Sequence, residues 1–286
     1  MVQGVIGAPA YSLDRVLVAD LVPRTERENA YATVRVATNL GVLIGPPLAA
    51  LLVYLGGWRA FLLGIAALGI AGALLTLAFL PETRAVRPAE ERAGSLKTLL
   101  HDRPYLFLLL SVLLAYVCYC GFETVLPVIA VSSYGLAPSL WGLLVVISPV
   151  LVIVGQIRLT RASARIPPAT RLAAATALMG VPFLALLVSS STAVIASVIV
   201  VFVLGEMVWM PTSQAVAANL APERLRGTYF GALAAMTGPA WTLTPFVALR
   251  LRAHVGVGAV WVLFAVVGAA AAATGAAAMV ASLRAR

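Results

Sequence analysis

The chain has 286 residues, of which 62% are hydrophobic and 11% charged, with a net charge of +9 and a mean hydropathy of +1.00. Soluble domains carry about 25% charged residues, so this composition excludes a water-soluble globular protein. It also removes nucleic acid as the explanation of the basic charge. Apolar runs of about 20 residues recur along the chain, the length needed to cross a bilayer. Lipid offers backbone groups no partner but each other, so such runs must be helices.

In chain order the predicted spans are 3–22, 31–55, 58–80, 104–131, 138–158, 169–188, 193–219, 227–250 and 257–281. Asp14, Arg15 and Asp20 interrupt the first. Met1 to Tyr11 lack the basic start and apolar run of a cleavable signal peptide. Residues 82–103, ETRAVRPAEERAGSLKTLLHDR, form the one long polar linker and separate three helices from six. The expected domains are therefore a partial three-helix bundle over 1–81, a cytoplasmic linker over 82–103 and a six-helix bundle over 104–286. Cys118 and Cys120, two apart, point to different faces and read as free packed thiols. His101 and His254 read as surface residues at helix edges.

Lys and Arg set the orientation of membrane helices. Fifteen lie in one set of alternate gaps and the tail, and three, Arg59, Arg250 and Arg252, lie in the other set. The fifteen mark the cytoplasmic side of a cell-membrane protein. That puts the C-terminus inside and Met1 outside.

An internal repeat is legible as well. Residues 20–27 read DLVPRTER and residues 219–226 read NLAPERLR, each with Pro fourth and Arg eighth in a gap between helices. At the same offset Pro46 corresponds to Pro245. With a small shift Trp58 and Phe61 correspond to Trp261 and Phe264. Helices one to three thus match helices seven to nine in order and orientation. Parallel repeats joined by one long linker are an architecture of secondary transporters. By this reading the first three helices of the N-terminal half are missing from the chain.

These residues give a resemblance to a family. Asn39-Leu40-Gly41 through Gly45-Pro46-Pro47 is similar to the fifth-helix motif of the antiporters of the major facilitator superfamily. Gln3-Gly4 with Gly7, Ala8 and Pro9 resembles the latter part of the fourth-helix motif, whose Arg would fall just before Met1. Gly205-Glu206 with Pro211, Ala221-Pro222 and Arg226-Gly227 resembles the tenth-to-eleventh helix stretch of multidrug efflux members. Over its whole length the chain resembles the twelve-helix drug:proton antiporters. The family's Gly/Asp/Arg loop between its second and third helices is absent, and its echo from Gly155 to Arg171 has Arg residues but no Asp. The resemblance implies an all-α, major facilitator-like bundle of about nine transmembrane helices. It also implies alternating access and a cavity lined by this chain's first, fourth and seventh helices.

Ionisable residues inside a span cost at least about 2.5–3.5 kcal/mol at the bilayer centre. Those read within spans are Asp14 and Arg15, Glu123 and Glu206, on the same three helices. Glu123, deep in YCGFETVLPVI, is placed to exchange a proton; the alternative is a packing hydrogen bond or a position near the outer interface. Glu206 shares a helical face with Met210 and Ser213, with Gln214 beside it. Met210 and the adjacent Trp209 next to one carboxylate would suit an amphipathic or cationic solute; the alternative is again a packing hydrogen bond. Asp14 could meet a basic partner on a missing helix, while Arg15 could reach toward an interface. Gly41, Gly45 and Pro46 allow close helix approach and bending, as do Gly231, Gly238, Pro239 and Pro245. Asp20, Arg27 and Arg226 would form ion pairs closing a cytoplasmic gate, or else act as topology determinants and caps. The other loop arginines, those over 158–171 above all, read as topology determinants.

The sequence has no phosphate-binding glycine loop, no metal cluster and no Ser/His/Asp constellation, so neither enzymatic activity nor a cofactor is expected. The expected partners are a small solute, a coupling ion taken as a proton, and the lipid bilayer, with no nucleic acid. The reading is proton-coupled efflux of a drug-like or metabolite compound. Its alternatives are an uptake symporter of the same fold and a non-transporting truncated fragment.

Overall fold

The computed structural model describes residues 15–79 and 96–284. Among them every regular element is a helix, and seven helices are long and apolar enough to cross a membrane. A short helix, α1, covers 15–21. Most of the first predicted span, with Asp14 and the Gln3 to Pro9 motif, lies outside the described residues.

The second and third predicted spans form one helical stretch of 53 residues, Arg27–Phe79. A straight helix of that length would run about 80 Å, against a hydrocarbon core of about 30 Å. Gly56 (φ −152°, ψ 22°) and Gly57 (φ 63°, ψ −164°) break it. Gly57 occupies a region of backbone space that is essentially reserved for glycine. The chain turns back there: a Cβ built on Gly64 would lie 2.7 Å from Leu52 Cδ1, whereas continuous helix would hold the two about 18 Å apart. We label the arms α2 (27–55) and α3 (58–79).

The remaining spans coincide with the prediction. They are α4 (Arg103–Ser132), α5 (Pro138–Ser163), α6 (Pro168–Leu187), α7 (Thr192–Leu220), α8 (Glu223–His254) and α9 (Val257–Arg284). The main difference is that α5 runs on to Ser163 and carries Arg158 and Arg161 on its last turns. Local chemistry sets several starts. Proline lies in the first turn of α4, α5 and α6, where its missing N–H costs no helical bond. The Asp102 carboxylate accepts from the Tyr105 N–H at 3.1 Å, and Ser191 caps α7 through the Val194 N–H. Inside α6, Pro182 coincides with a change to tighter 3₁₀ winding over Val181–Leu187.

The helices pack α4 on α9, α9 on α6, α6 on α7 and α7 on α5; α8 lies against α4 and α9. The α2–α3 hairpin rests on α5 and α7. An aromatic cluster fills the space among α4, α6, α7 and α9. Phe122 stacks on Phe202 at 4.2 Å and Phe183 on Trp261 at 5.5 Å. Helices without a hydrophobic drive to associate rely on close approach, and here Gly180 and Gly268 supply it. A Cβ on Gly180 would lie 2.7 Å from Gly268 Cα and 2.6 Å from the Phe264 carbonyl oxygen. Cys118 and Cys120 are buried free thiols in α4.

Side chains pin both ends. At one, the Tyr105 hydroxyl donates to the Tyr229 carbonyl (2.7 Å) and the Tyr229 hydroxyl to Asp102 (2.9 Å). The loops bearing Arg24, Arg165 and Arg224 lie at this basic end. At the other, the Trp261 indole N–H donates to the Tyr134 hydroxyl at 2.7 Å. Large apolar residues such as Leu63, Leu68, Leu77 and Val188 face outward, as lipid requires and water would not permit. The protein is an all-α, multi-pass membrane protein.

Two substitutions check this account. Gly57→Ala meets no neighbouring atom, so its whole effect is backbone strain, and it should destabilise the protein by about 1–3 kcal/mol. Gly180→Val forces α6 off α9 and should cost at least about 1–3 kcal/mol. Unfolding in detergent followed by circular dichroism measures both; wild-type stability in either variant would refute the corresponding contact.

Candidate functional site

A charge in an apolar span must find a partner or reach water. Among the described residues the ion-paired side chains lie along one seam, where α1 and α2 meet α6, α7 and α8. At the basic end of the seam the repeat becomes physical. Arg226 donates to Asp20 Oδ1 at 2.5 Å, and Arg27 donates to Asn219 Oδ1 at 2.8 Å. Asp20 and Asn219 are the first residues of the two repeat segments, and Arg27 and Arg226 are the eighth. Each repeat therefore gives its Arg to the first residue of the other. Arg27 also donates to the carbonyls of Ala218 (3.3 Å), Val22 (3.2 Å) and Ala19 (2.7 Å). Arg226 has a weaker contact to Glu223 at 3.5 Å.

Beside this clasp Glu28, in the first turn of α2, accepts from the Arg171 guanidinium at the start of α6. The same carboxylate accepts from the Thr212 hydroxyl of α7 at 2.7 Å. One carboxylate thus ties three helices. Arg171, read from the sequence as a topology determinant, is buried and paired with Glu28 and so belongs to the seam as well.

Deeper in the seam Arg35 meets Glu206 at 2.5 Å, with side chains 10% and 5% exposed. Arg35 lies two turns beyond Arg27, about 12 Å along α2. It is absent from the residues singled out in the sequence. The signal was available: an Arg five positions into an apolar span needs a partner, and Glu206 was the unmatched acid.

Glu123 sits in a π-helical turn, Gly121–Val125, within α4; such turns recur at functional sites. Its side chain is exposed and adjoins Tyr119. The Tyr119 ring meets Trp241 of α8 at 6.2 Å and Phe202 at 6.5 Å.

The other expected residues fall as follows. Met210 is half-buried, and its sulfur accepts from the Gln214 amide at 3.7 Å. Trp209 does not stand beside Glu206 on a solute-facing wall. It is 1% exposed and packs edge-on against Tyr116 of α4 at 5.1 Å. Arg15 is half-buried, and its carbonyl accepts from the Tyr31 hydroxyl at 2.8 Å. Asp14 lies outside the described residues. A Cβ on Gly41 or Gly45 would have no described atom within 4 Å, and Pro46 is exposed. Among the described residues no group of three or more His, Cys, Asp and Glu is gathered as a metal site would require.

A bundle of long apolar helices with paired charges between repeats narrows the comparison to membrane carriers. The family model of the Major Facilitator Superfamily matches residues 1–245. The chain belongs to that superfamily. It is 24% identical over 228 residues to YqjV of Bacillus subtilis (strain 168), an uncharacterized MFS-type transporter, covering 77% of this chain and 55% of that protein. The chain thus spans about half the length of this relative. Over 84 residues it is 36% identical to a Serratia proteamaculans (strain 568) protein named MdtD for multidrug resistance, covering 29% of this chain and 18% of that one. Among solved structures it superimposes on the human organic anion transporter MFSD10 (TETRAN) with a TM-score of 0.74. The two share 20% identity, over 92% of this chain and 67% of that chain. A bacterial homologue of the iron transporter ferroportin, outward-facing, gives a TM-score of 0.64 at 19% identity. Superfamily members are transporters rather than enzymes.

Glu28→Gln and Arg171→Gln should each lower stability but not add. A double-mutant cycle on unfolding in detergent should give a coupling of about 0.5–3 kcal/mol, and additive effects would remove Glu28–Arg171 from the seam.

Proposed function

We propose that the chain is the greater part of a secondary active transporter that exports a small drug-like or metabolite solute in exchange for protons, by alternating access. The reading is carried by the Glu206 carboxylate of α7, paired with Arg35 of α2 inside an apolar span, and by a second acid, Glu123, within the apolar run of α4. A carboxyl in such a place can take up and release a proton as its surroundings alternate. The solute path runs past Glu123, Tyr119 and Trp241, with Met210 and Gln214 on α7 and Arg15 on α1 completing its wall; Asp14, outside the described residues, belongs to the same proposed set by sequence alone. The half-buried Tyr119 ring and the exposed Trp241 ring suit an aromatic or amphipathic solute.

In this proposal residues 1–81 are part of the first half, 82–103 the linker and 104–286 the second half. The basic end faces the cytoplasm of the cell membrane, by the charge bias of the loops, and the C-terminus lies there. Asp20, Arg27 and Arg226 form the cytoplasmic gate, closed in this conformation. Gly41, Gly45 and Pro46 are the stretch where α2 can bend, on a face that no described helix approaches closely. The relatives named for multidrug resistance support efflux.

The test is flux of a fluorescent lipophilic cation in proteoliposomes under an imposed pH gradient. Acid outside should drive export, and Glu123→Gln and Glu206→Gln should each lower the flux about tenfold or more, a factor equal to about 1.4 kcal/mol. Import under the same gradient would identify a symporter. Wild-type flux in both variants would end the assignment of these acids.

A further inference from the structure

A proline inside a helix removes the N–H that would serve the carbonyl four residues back. Pro211 lies inside α7, so the Met207 carbonyl, next along from Glu206, loses the donor its own helix would give. Lipid and apolar neighbours offer no replacement. The structure supplies one from α5. The Gln156 side-chain amide donates to the Met207 carbonyl at 2.7 Å and to the Thr160 hydroxyl at 3.0 Å. The preceding residue, Gly155, lets α5 approach: a Cβ there would lie 3.1 Å from Met207 Cε. Gln156 is 0% exposed, and its Oε1 is buried with no partner among the described residues. An apolar side chain of similar length would avoid that cost, which leaves the donor as the reason for an amide here.

Pro211 also divides the contacts that α7 makes with α2. On one side of it Glu206 meets Arg35, and Gly205 lies against α6, where a Cβ would come within 2.7 Å of the Ala175 carbonyl oxygen. On the other side Thr212 donates to Glu28 at 2.7 Å, and Asn219 accepts from Arg27 at 2.8 Å. A helix bends most readily where its ladder lacks a rung, so the arm from Thr212 to Leu220 can shift while the arm before it stays. We propose that Gln156 is a positioning residue for Glu206. It supplies the donor that Pro211 lacks, fixes the Met207 turn of α7 to α5, and keeps Glu206 opposite Arg35 when the other arm moves. This role rests on the reading of Glu206 as an acid of the proton step.

The test uses unfolding in detergent and needs no solute. Gln156→Met keeps the length of the side chain and removes the donor, and it should lower the unfolding temperature by several degrees. Pro211→Ala returns the N–H to α7, so in that background Gln156→Met should cost about a degree or less. An equal cost in both backgrounds would make Gln156 a packing residue and overturn the proposal. If Gln156→Met does not fold, recovery of folding on adding Pro211→Ala is the expected result and continued failure the contrary one. A second cycle reads position rather than stability. The coupling between Arg35→Gln and Glu206→Gln should fall by about half or more in Gln156→Met and return when Pro211→Ala is added. Coupling that Gln156→Met leaves unchanged would equally overturn the proposal. A wild-type protein with no proton-driven flux would end the reading of Glu206 as a proton acid, and the two cycles would still decide whether Gln156 holds it in place.

Discussion

Lipid cannot solvate a charge, and this constraint accounts for where the ion-paired side chains of the protein lie. Arg27, Glu28, Arg35, Arg171, Glu206 and Arg226 each find a partner across the line where α1 and α2 meet α6, α7 and α8. The rest of the membrane-embedded contact is apolar packing, aromatic stacking and glycine-mediated approach, with a few neutral hydrogen bonds such as Ser111 to the Ala271 carbonyl and Gln156 to the Met207 carbonyl. Those forces fix the interior of the α4–α9 group but distinguish poorly between similar sliding positions of α1 and α2 on that group. Directional ion pairs do distinguish, and they are lost as units when partners part.

The reciprocal arrangement follows from the repeat. Two copies of one helix–turn–helix segment face each other, so a contact that one copy makes to the other is available in reverse. Arg226 meets Asp20 and Arg27 meets Asn219. One of the two is an ion pair and the other a hydrogen bond to a neutral amide, so the clasp is symmetric in position and asymmetric in strength. Arg27 compensates with three backbone carbonyls. A clasp built this way reports the approach of the two halves directly, which is what a gate at that end would require.

Much of the fold was legible because it depends on local composition. Apolar run length set the helices, the loop arginines grouped at one end, and the Gly56-Gly57 break fell where the second span was expected to give way to the third. Asp20, Arg27 and Arg226 could be placed at one helix end from the repeat alone. The missed part depends on partners remote in sequence. Asp20 and Arg226 are 206 positions apart, and nothing near Arg171 indicates that Glu28 lies opposite. Arg35 was passed over because it sits close to the edge of its span, where an Arg ordinarily reaches water. Trp209 was placed beside Glu206 by adjacency in sequence. Three positions along a helix leave two residues about 60° apart on one side, so spacing alone could not tell that the Trp209 ring packs on Tyr116 of α4.

The central claim is that the two repeat segments hold each other across the seam through equivalent positions. It is tested most directly by moving the acid from one copy to the other, as Asp20→Asn, Asn219→Asp and the two together, with thermal unfolding in detergent as the measurement. The account predicts that Asp20→Asn lowers the unfolding temperature by several degrees and that adding Asn219→Asp recovers most of the loss, because Arg27 then has the acid that Arg226 gave up. If the double variant is as unstable as Asp20→Asn alone, the two contacts are not equivalent and the claim is contradicted.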